Sequence, residues 1–397
     1  SSFTTTGAPL FEPGRLSGTM HLWRAQVAWL GGLFVWVSAA AVLAPLALGG
    51  FEVTASAEPG RGQTETGRYA PASDAHRLAR AVYQLAPLYV GLTLLLAFCL
   101  VVSGDTPLVA AIHAMSTLST SGISATGGLA GGASGLRGEF VVFLFLLFAL
   151  SRLTFSTDTI TSRRQGLHND PEFRLAMFII LSVTLLLFMR HWVAARDVNT
   201  EENAVHALRA LWGSIFTVLS FLTTAGFESA DWEASRGWSG LGAPGLILLG
   251  LALTGGGVAT TAGGVKLLRV YALYLNGVRE MERLVHPSSV GRSSNQSRRI
   301  RRNGAFIAWI CFVLFAISRA SVSVVLAAKG VNLEEALILS IAALSTTGPL
   351  VSAAADTPIA LVDLDALGKL ILCAAMVVGR LETLAIIALM NPVLWRD

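Results

Sequence analysis

The chain has 397 residues, of which 53% are hydrophobic and only 14% charged, and its mean hydropathy is +0.62. A soluble domain carries nearly twice this charged fraction, so the composition excludes an ordinary soluble protein and predicts an integral membrane protein. The net charge of +4 gives no reason to expect a nucleic-acid partner, and the three cysteines lie singly in apolar runs, without the paired spacing of a disulfide framework or a zinc site.

Seven stretches are predicted to span the membrane, since a span takes about 20 mostly apolar residues. In chain order they cover 22–48, 80–103, 139–157, 173–194, 243–275, 304–328 and 367–391. Three shorter apolar pieces lie between them, at 107–118, 203–222 and 333–344. Each is too short to cross, so each is predicted to be a half-helix that enters the membrane and turns back.

The charged residues predict which side of the membrane each loop faces. Segment 276–303 holds seven arginines against two glutamates, and Arg163 and Arg164 mark a second basic loop. By the positive-inside rule these loops are cytoplasmic. The opposite side is acidic, which fits either an ordinary solvated face or a vestibule that mildly attracts cations.

A four-residue pattern follows each short piece and also opens the chain. Every copy has Thr two residues before a glycine and Ser or Thr three residues before it. The copies are Thr4-Thr5-Thr6-Gly7, Ser119-Thr120-Ser121-Gly122, Thr223-Thr224-Ala225-Gly226 and Ser345-Thr346-Thr347-Gly348. Their recurrence predicts a repeated unit of span, half-helix, Thr-rich glycine loop and span.

This unit divides the chain into five predicted segments. They are 1–50 (loop and second span of repeat 1), 76–165 (repeat 2), 171–275 (repeat 3, with a broken second span), 276–303 (a basic cytoplasmic loop) and 304–392 (repeat 4). The expected fold is an all-α polytopic membrane protein with a pseudo-fourfold repeat around a central ion pore, incomplete at its N-terminus.

Cation coordination by backbone carbonyls is the chemistry that suits four such loops, since rings of carbonyls can replace the hydration shell of potassium. Glycine lets the backbone turn at φ values that other residues disfavour. A half-helix that points its C-terminus at the centre adds a partial negative charge. The candidate potassium-binding filter comprises Thr5, Thr6, Gly7, Thr120, Ser121, Gly122, Thr224, Ala225, Gly226, Thr346, Thr347 and Gly348, with potassium as substrate and no cofactor expected in the chain.

A candidate gate lies in the broken span 243–275. Its stretch 254–264 has five glycines and three threonines in eleven residues and cannot form a stable continuous helix. Broken backbone at membrane depth is tolerated only against protein or a water-filled cavity. The stretch is therefore either a glycine-lined packing face or, as we expect, an intramembrane loop that obstructs the pore. Its candidate gate residues are Gly255, Gly256, Gly257, Thr260, Thr261, Gly263 and Gly264.

Arg380 is the second candidate for the gate, because it lies near the middle of the predicted last span. A central arginine costs about 2.5–3.5 kcal/mol on insertion scales and needs a compensating environment. Pairing with Glu382 is one alternative. The other places the guanidinium in the pore below the filter, as an electrostatic barrier that works with the glycine loop.

These residues resemble the Trk/Ktr/HKT superfamily of potassium transporters, and most closely the membrane subunit of the bacterial Trk uptake system. The resemblance rests on the Thr-rich opening, Trp29-Leu30-Gly31-Gly32, Ala225-Gly226-Phe227, the stretch from Gly255 to Lys266, Val285-His286-Pro287 and Gly379-Arg380-Leu381-Glu382. It implies potassium uptake across the bacterial inner (plasma) membrane, a homodimer, and a cytoplasmic nucleotide-binding regulatory subunit of the TrkA-like kind. It also implies further spans before the first filter loop.

Some features leave other functions open. The family usually has Gly-Gly-Phe at the second loop, where this chain has Ser121, Gly122 and Ile123, so the preference for potassium over sodium is not settled by the resemblance. A secondary transporter of a small organic solute and the potassium-binding subunit of an ATP-driven pump are the alternatives. Gly132-Ala133-Ser134-Gly135 fits a serine-nucleophile pattern, but no later histidine lies in mid-span, so we do not expect an enzyme.

Overall fold

A computed structural model describes residues 1–43, 74–151, 170–194, 203–241, 243–286, 302–355 and 358–381. These residues form thirteen α-helices and no strand, which confirms the all-α fold class. The predicted basic loop around Arg163, most of segment 276–303 and Glu382 lie outside the described residues.

The helices follow the predicted apolar runs closely. They are α1 (Gly18–Ser38), α2 (Asp74–Ser103), α3 (Pro107–Leu118), α4 (Gly135–Leu146), α5 (Pro171–Ala194), α6 (Asn203–Leu222), α7 (Trp232–Ser239), α8 (Gly245–Thr254), α9 (Leu267–Val285), α10 (Arg302–Ala328), α11 (Leu333–Leu344), α12 (Leu350–Ala353) and α13 (Ala366–Leu381). A short 3-10 turn, Leu147–Leu150, continues α4. The predicted half-helices at 107–118 and 333–344 coincide with α3 and α11.

Four helices in the described part of the chain are long and apolar enough to cross a membrane. They are His76–Ser103, Pro171–Arg190, Val205–Leu222 and Gly304–Ala328. The third corrects the prediction that 203–222 is too short to cross, because His206 and Arg209 interrupt its apolar run without ending the helix. More than half of this helix, 56%, is nevertheless buried inside the protein, against 17–28% for the other three.

The prediction for 276–303 also needs correction at its start. Helix α9 continues through Val285 instead of ending at the predicted loop. Two arginines and two glutamates lie in this extension, and Arg283 forms an exposed ion pair with Glu280 at 2.9 Å. Pairs three residues apart stabilise an exposed helix modestly, so this charged segment is compatible with continued helix as well as with loop.

Helices α3, α6 and α11, which precede the second, third and fourth motifs and are called the half-helices below, lie at the centre of the fold, and the other helices surround them. Helix α3 packs against α1 and α2, α6 against α5 and α8, and α11 against α10 and α13. Every residue of α11 from Ile338 to Leu344 is buried. Because each half-helix ends at one of the Thr-rich motifs, this packing brings those motifs into the interior.

Two glycines of α1 allow the first motif to join the others. A β-carbon at Gly31 would overlap the carbonyl of Phe3, and one at Gly32 would lie 2.7 Å from the hydroxyl of Tyr89 and 3.0 Å from the side chain of Ser119. The backbone of α1 therefore runs directly against the start of the chain and the end of α3. The Gly-Gly pair in the first predicted span serves this close approach.

Candidate functional site

The four Thr-rich motifs share one backbone conformation. In the first, the amide of Thr5 donates to the carbonyl of Ser2 at 2.9 Å, and the amide of Thr6 donates to Ser1 at 3.0 Å. This pair of bonds is the Schellman motif, which normally ends a helix at a left-handed glycine. The equivalent pairs are Thr120 to Thr117 with Ser121 to Ser116, Thr224 to Phe221 with Ala225 to Ser220, and Thr346 to Ala343 with Thr347 to Ala342.

Threonine, not glycine, occupies the left-handed position of each Schellman motif. The φ angles are 54° at Thr5, 50° at Thr120, 58° at Thr224 and 54° at Thr346. Left-handed backbone costs a residue with a β-carbon about 1–2 kcal/mol, and a β-branched residue in this region is an outlier. Strain of this kind concentrates at functional sites, where the surrounding structure enforces it. The sequence predicts special backbone at the glycines and does not reveal it at these threonines.

The motif glycines fulfil the sequence prediction in three loops and depart from it in the fourth. Gly7, Gly122 and Gly226 are left-handed, with φ of 67°, 67° and 76°. Gly348 is not in this region. The following residue gives the reason, because Pro349 crowds the backbone of the residue before it and favours extended conformations there. The expectation of a left-handed glycine is therefore wrong at Gly348.

The four motifs contact one another in cyclic order. A β-carbon at Gly7 would overlap the carbonyl oxygen of Ser121, and one at Gly122 would overlap that of Ala225. A β-carbon at Gly348 would likewise overlap the carbonyl oxygen of Thr6, which closes the circle. In each of these contacts a glycine meets the residue that precedes the next glycine. The remaining contact joins Gly226 to the ring of Pro349.

Two of the motif hydroxyls are buried without a hydrogen-bond partner among the described residues. These are Oγ1 of Thr5 and Oγ1 of Thr346. The hydroxyl of Thr120 donates to the carbonyl of Ser119 at 2.8 Å, and that of Thr224 accepts an amide from the glycine-rich stretch. Buried polar atoms without partners are uncommon in folded proteins, and a cation is one ligand that satisfies such oxygens.

The predicted gate stretch forms a closed loop between α8 and α9. Its two ends are joined by three backbone hydrogen bonds of 3.0 Å, from Val265 to Leu253, from Lys266 to Thr254 and from Leu267 to Gly256. Ala259 and Lys266 are left-handed, with φ of 56° and 83°. The prediction of a broken helix is met by a loop with its own backbone hydrogen bonds. We call residues 255–264 the glycine loop.

The glycine loop contacts three of the four Thr-rich motifs or their half-helices. The amide of Gly263 donates to Oγ1 of the left-handed Thr224 at 2.7 Å. The hydroxyl of Thr261 donates to the carbonyl of Leu118, at the end of α3, at 3.0 Å. A β-carbon at Gly263 would overlap the carbonyl of Ser345 in the fourth motif. The loop is therefore seated directly against the ends of the half-helices.

Arg380 reaches the same loop from α13. Its Nη1 donates to the carbonyl of Thr261 at 2.6 Å. The neighbouring Gly379 permits this approach, because a β-carbon there would overlap the carbonyl of Leu344. The structure thus brings the predicted loop and the predicted arginine into contact, while the alternative partner Glu382 lies outside the described residues.

Glu172 holds the opposite side of the glycine loop, and the sequence does not single it out. This carboxylate is fully buried at the start of α5, and its Oε1 accepts the amide of Val258 at 3.0 Å. The available signal is its position directly before the apolar run 173–194, where an ionisable residue marks a functional or structural site.

Glu139 is a second buried carboxylate that the sequence does not single out. It accepts the indole N–H of Trp212 at 2.9 Å, the hydroxyl of Ser229 at 2.7 Å and the amide of Ala230 at 2.6 Å. Because Ser229 and Ala230 follow the third motif, Glu139 ties α4 to the backbone on the exit side of that motif. Three donors on one carboxylate compensate the cost of burying its charge.

Asp105 closes the segment between α2 and α3. It accepts the amide of Ser134 at 2.8 Å and its hydroxyl at 2.9 Å, and the ring of buried His113 lies 3.8 Å away. Burial raises the pKa of Asp105, but the neighbouring His113 ring and the two hydrogen bonds from Ser134 outweigh burial and hold this pKa below its ordinary value. Ser134 of the nucleophile-like pattern is thus bonded to an aspartate in a structural contact.

Glu228 is the acidic residue nearest to the third motif, two residues after Gly226. Burial, followed by repulsion from Glu233, raises the pKa of Glu228, and attraction by Arg236 only partly offsets this rise. A partly buried carboxylate at this point places titratable negative charge next to the ring of motifs.

Comparison with known proteins gives matches at three levels. A family model described as TrkH, cation transport protein, matches residues 140–394. The Trk system potassium uptake protein TrkH of Halomonas elongata is 29% identical over 100% of this chain and 78% of its own length, and that of Escherichia coli K12 is 28% identical with the same coverage. The crystal structure of the potassium transporter TrkH from Vibrio parahaemolyticus matches with a TM-score of 0.76 and 26% identity, over 100% of this chain and 77% of that one.

Proposed function

The chain belongs to the TrkH family of cation transport proteins and is a multi-pass protein of the bacterial inner membrane, and we propose that it takes up potassium through the ring of four Thr-rich motifs. The resemblance recognised from the motifs is confirmed by these matches. We call the ring the filter and define it as 5–7, 120–122, 224–226 and 346–348.

The cyclic contact of the four motifs is the observation that carries the proposal. Four left-handed threonines surround a region where the carbonyls of Thr6, Ser121 and Ala225 approach neighbouring glycines. Helices α3, α6 and α11 end directly before the second, third and fourth motifs, so three C-terminal partial negative charges meet there, which favours a cation. The unpartnered hydroxyls of Thr5 and Thr346 add oxygen atoms of the kind that coordinate potassium.

The contacts of the glycine loop support its role as the gate. Hydrogen bonds to Leu118 and Thr224 seat the loop against the filter, and Arg380 binds the carbonyl of Thr261. A positive charge bound to a loop at this position raises the electrostatic barrier for a cation leaving the filter. Opening would then require the loop to give up these hydrogen bonds, together with those from Gly257 to Ala149 and from Val258 to Glu172.

The proposed oligomeric state and partner of the chain are taken from its family. As a Trk-system membrane subunit the chain works with other Trk components, and we propose a homodimer with a cytoplasmic nucleotide-binding subunit. Support for a cytoplasmic contact comes from the end of α9, where Met281, Leu284 and Val285 are exposed beside charged residues. Light scattering of the purified protein distinguishes a dimer from a monomer by mass.

Rubidium uptake into liposomes tests the proposed function. We expect uptake that unlabelled potassium competes for and that Gly122→Ala abolishes, because the added β-carbon would overlap the carbonyl of Ala225. Gly91→Ala is the matched control, since a β-carbon at Gly91 in α2 meets no atom within 4 Å. Uptake no greater than in empty liposomes, or uptake of an organic solute in its place, would end the potassium proposal.

A further inference from the structure

The fourth loop of the filter differs from the others in the residue after its glycine. Ala8, Ile123 and Phe227 follow the first three glycines, whereas Pro349 follows Gly348. Up to the threonine all four loops agree, since Thr346 has the same left-handed φ as its counterparts. The departure begins at Gly348 and therefore lies within the filter itself.

Proline accounts for this departure in physical terms. The Cδ atom of a proline clashes with the backbone N–H of the preceding residue when that residue has a helical conformation. The preceding residue therefore favours extended conformations. Gly348 consequently cannot share the left-handed turn of Gly7, Gly122 and Gly226. Pro349 itself is the N-cap of the short helix α12, with φ of −58°.

A changed hydrogen bond follows from the changed backbone. The amide of Gly348 donates to the carbonyl of Thr6 in the first loop at 2.6 Å. In the first and third loops the glycine amide instead donates back to the segment just before its own loop, from Gly7 to Ser1 and from Gly226 to Ser220. The fourth loop therefore engages a carbonyl that belongs to the filter.

The ring of Pro349 also replaces one of the cyclic contacts. By the pattern of the other loops, Gly226 would meet the carbonyl of Thr347. It meets the proline ring instead, whose Cγ would lie 2.9 Å from a β-carbon at Gly226 and 2.5 Å from one at Gly122. An apolar ring thus lies between the second and third loops at the level of their glycines.

We propose that Pro349 is a specificity-determining residue of the filter, which acts by weakening the fourfold set of carbonyls formed by Thr6, Ser121, Ala225 and Thr347. The carbonyl of Thr6 is occupied by an amide, and the contact expected of Thr347 is made by an apolar ring. Preference for a larger dehydrated cation depends on the number and field strength of the coordinating carbonyls. The filter therefore discriminates less between potassium and sodium than four equivalent loops would. The inference rests on the proposed function of the filter.

The ratio of rubidium to sodium uptake tests this inference. Proteoliposomes carrying the wild type, Pro349→Ala or Pro349→Phe are compared, the second variant copying Phe227 of the third loop. We expect both variants to raise the ratio by roughly 3- to 10-fold, the scale of one neutral hydrogen bond. Pro9→Ala is the matched control, because Pro9 follows the first loop without adjoining its glycine, and it should leave the ratio unchanged.

The outcomes separate this inference from the proposed function. Wild-type vesicles that take up neither cation would contradict both. A wild type that transports rubidium, with an unchanged ratio in the Pro349 variants, would overturn the inference alone. If one Pro349 variant elutes as aggregate in size-exclusion chromatography, the uptake ratio of the other variant tests the inference. A loss of uptake of both cations in equal proportion would also overturn the inference, because it would mean that Pro349 only supports the fold.

Discussion

At the scale of single residues, the left-handed threonines explain why the filter motif contains threonine next to glycine. Glycine would end each half-helix without strain, whereas Thr5, Thr120, Thr224 and Thr346 cost about 1–2 kcal/mol each in this conformation. What threonine adds is a hydroxyl held beside the carbonyls of the ring. In the proposed filter, a bound cation would offset this strain.

Thr346→Gly tests this exchange of stability for binding. We expect the variant to be more stable by about 1 kcal/mol, because glycine adopts the left-handed backbone freely. Its half-saturating rubidium concentration should rise several-fold, since a buried hydroxyl oxygen is lost. Thr346→Ser keeps the hydroxyl and serves as the control. Equal rubidium affinity in the glycine variant and the wild type would show that the hydroxyl does not coordinate the ion.

Arg380→Ala tests the electrostatic barrier. We expect faster rubidium flux, because the variant loses both the positive charge and the hydrogen bond to Thr261. Arg319→Ala, which removes an arginine from α10, is the control and should leave the flux unchanged. Flux measured in liposomes that is unaltered by Arg380→Ala would remove this residue from the gate.

Glu228 predicts a pH dependence of uptake. Since burial raises its pKa, the carboxylate becomes neutral at a higher pH than an ordinary glutamate as the pH falls. As the external pH is lowered, uptake at low rubidium should therefore begin to decline above the ordinary glutamate pKa of about 4.3. Glu228→Gln should flatten this decline, and Glu233→Gln should move it to lower pH by removing a repelling charge. The same decline in Glu228→Gln as in the wild type would assign it to another group.

At the scale of elements, the glycine loop is closed at its ends and buried against the half-helices, with a small set of hydrogen bonds to other elements. Backbone hydrogen bonds from Val265, Lys266 and Leu267 hold its ends together. Contacts to Glu172, Leu118, Thr224 and Arg380 hold its middle. A segment built in this way can change position locally while α8 and α9 remain in place.

Shortening the loop tests its role as an obstruction. Deletion of 258–262 removes the residues that contact Leu118 and Arg380 and leaves the three end-closing hydrogen bonds possible. We expect a clear increase in rubidium flux with unchanged competition by potassium, because the filter itself is intact. Flux at or below the wild-type rate in a variant that elutes as a single species would contradict a gating role.

The sequence predicts most elements and fewer of their details. Helices α3 and α11 match the predicted half-helices because cap signals and short apolar runs are local. The bounds of α6 match the predicted piece 203–222, and the error lies only in treating this piece as too short to cross a membrane. The restriction that Pro349 places on the backbone of Gly348 can be predicted from the sequence, because it depends only on the residue after the glycine. The match of the four motifs, considered alone, does not include this residue.

At the scale of the whole molecule, the filter depends on contacts between residues that are far apart in the chain. Gly7 meets Ser121, Gly122 meets Ala225 and Gly348 meets Thr6. A recurring motif predicts that such loops converge, but the partners of Glu139 and Glu172 could not be predicted. Their hydrogen bonds join segments separated by 73 to 91 residues, which no local pattern encodes.

Location of the bound ion is the most direct test of the account. Thallium(I) resembles potassium in charge and size, and its anomalous scattering marks its position in a crystal of the protein. The account predicts a thallium peak within the ring of Thr5, Thr120, Thr224 and Thr346, on the filter side of the glycine loop. Thallium that is transported and yet binds only outside this ring would contradict the assignment of the four Thr-rich motifs as the potassium filter.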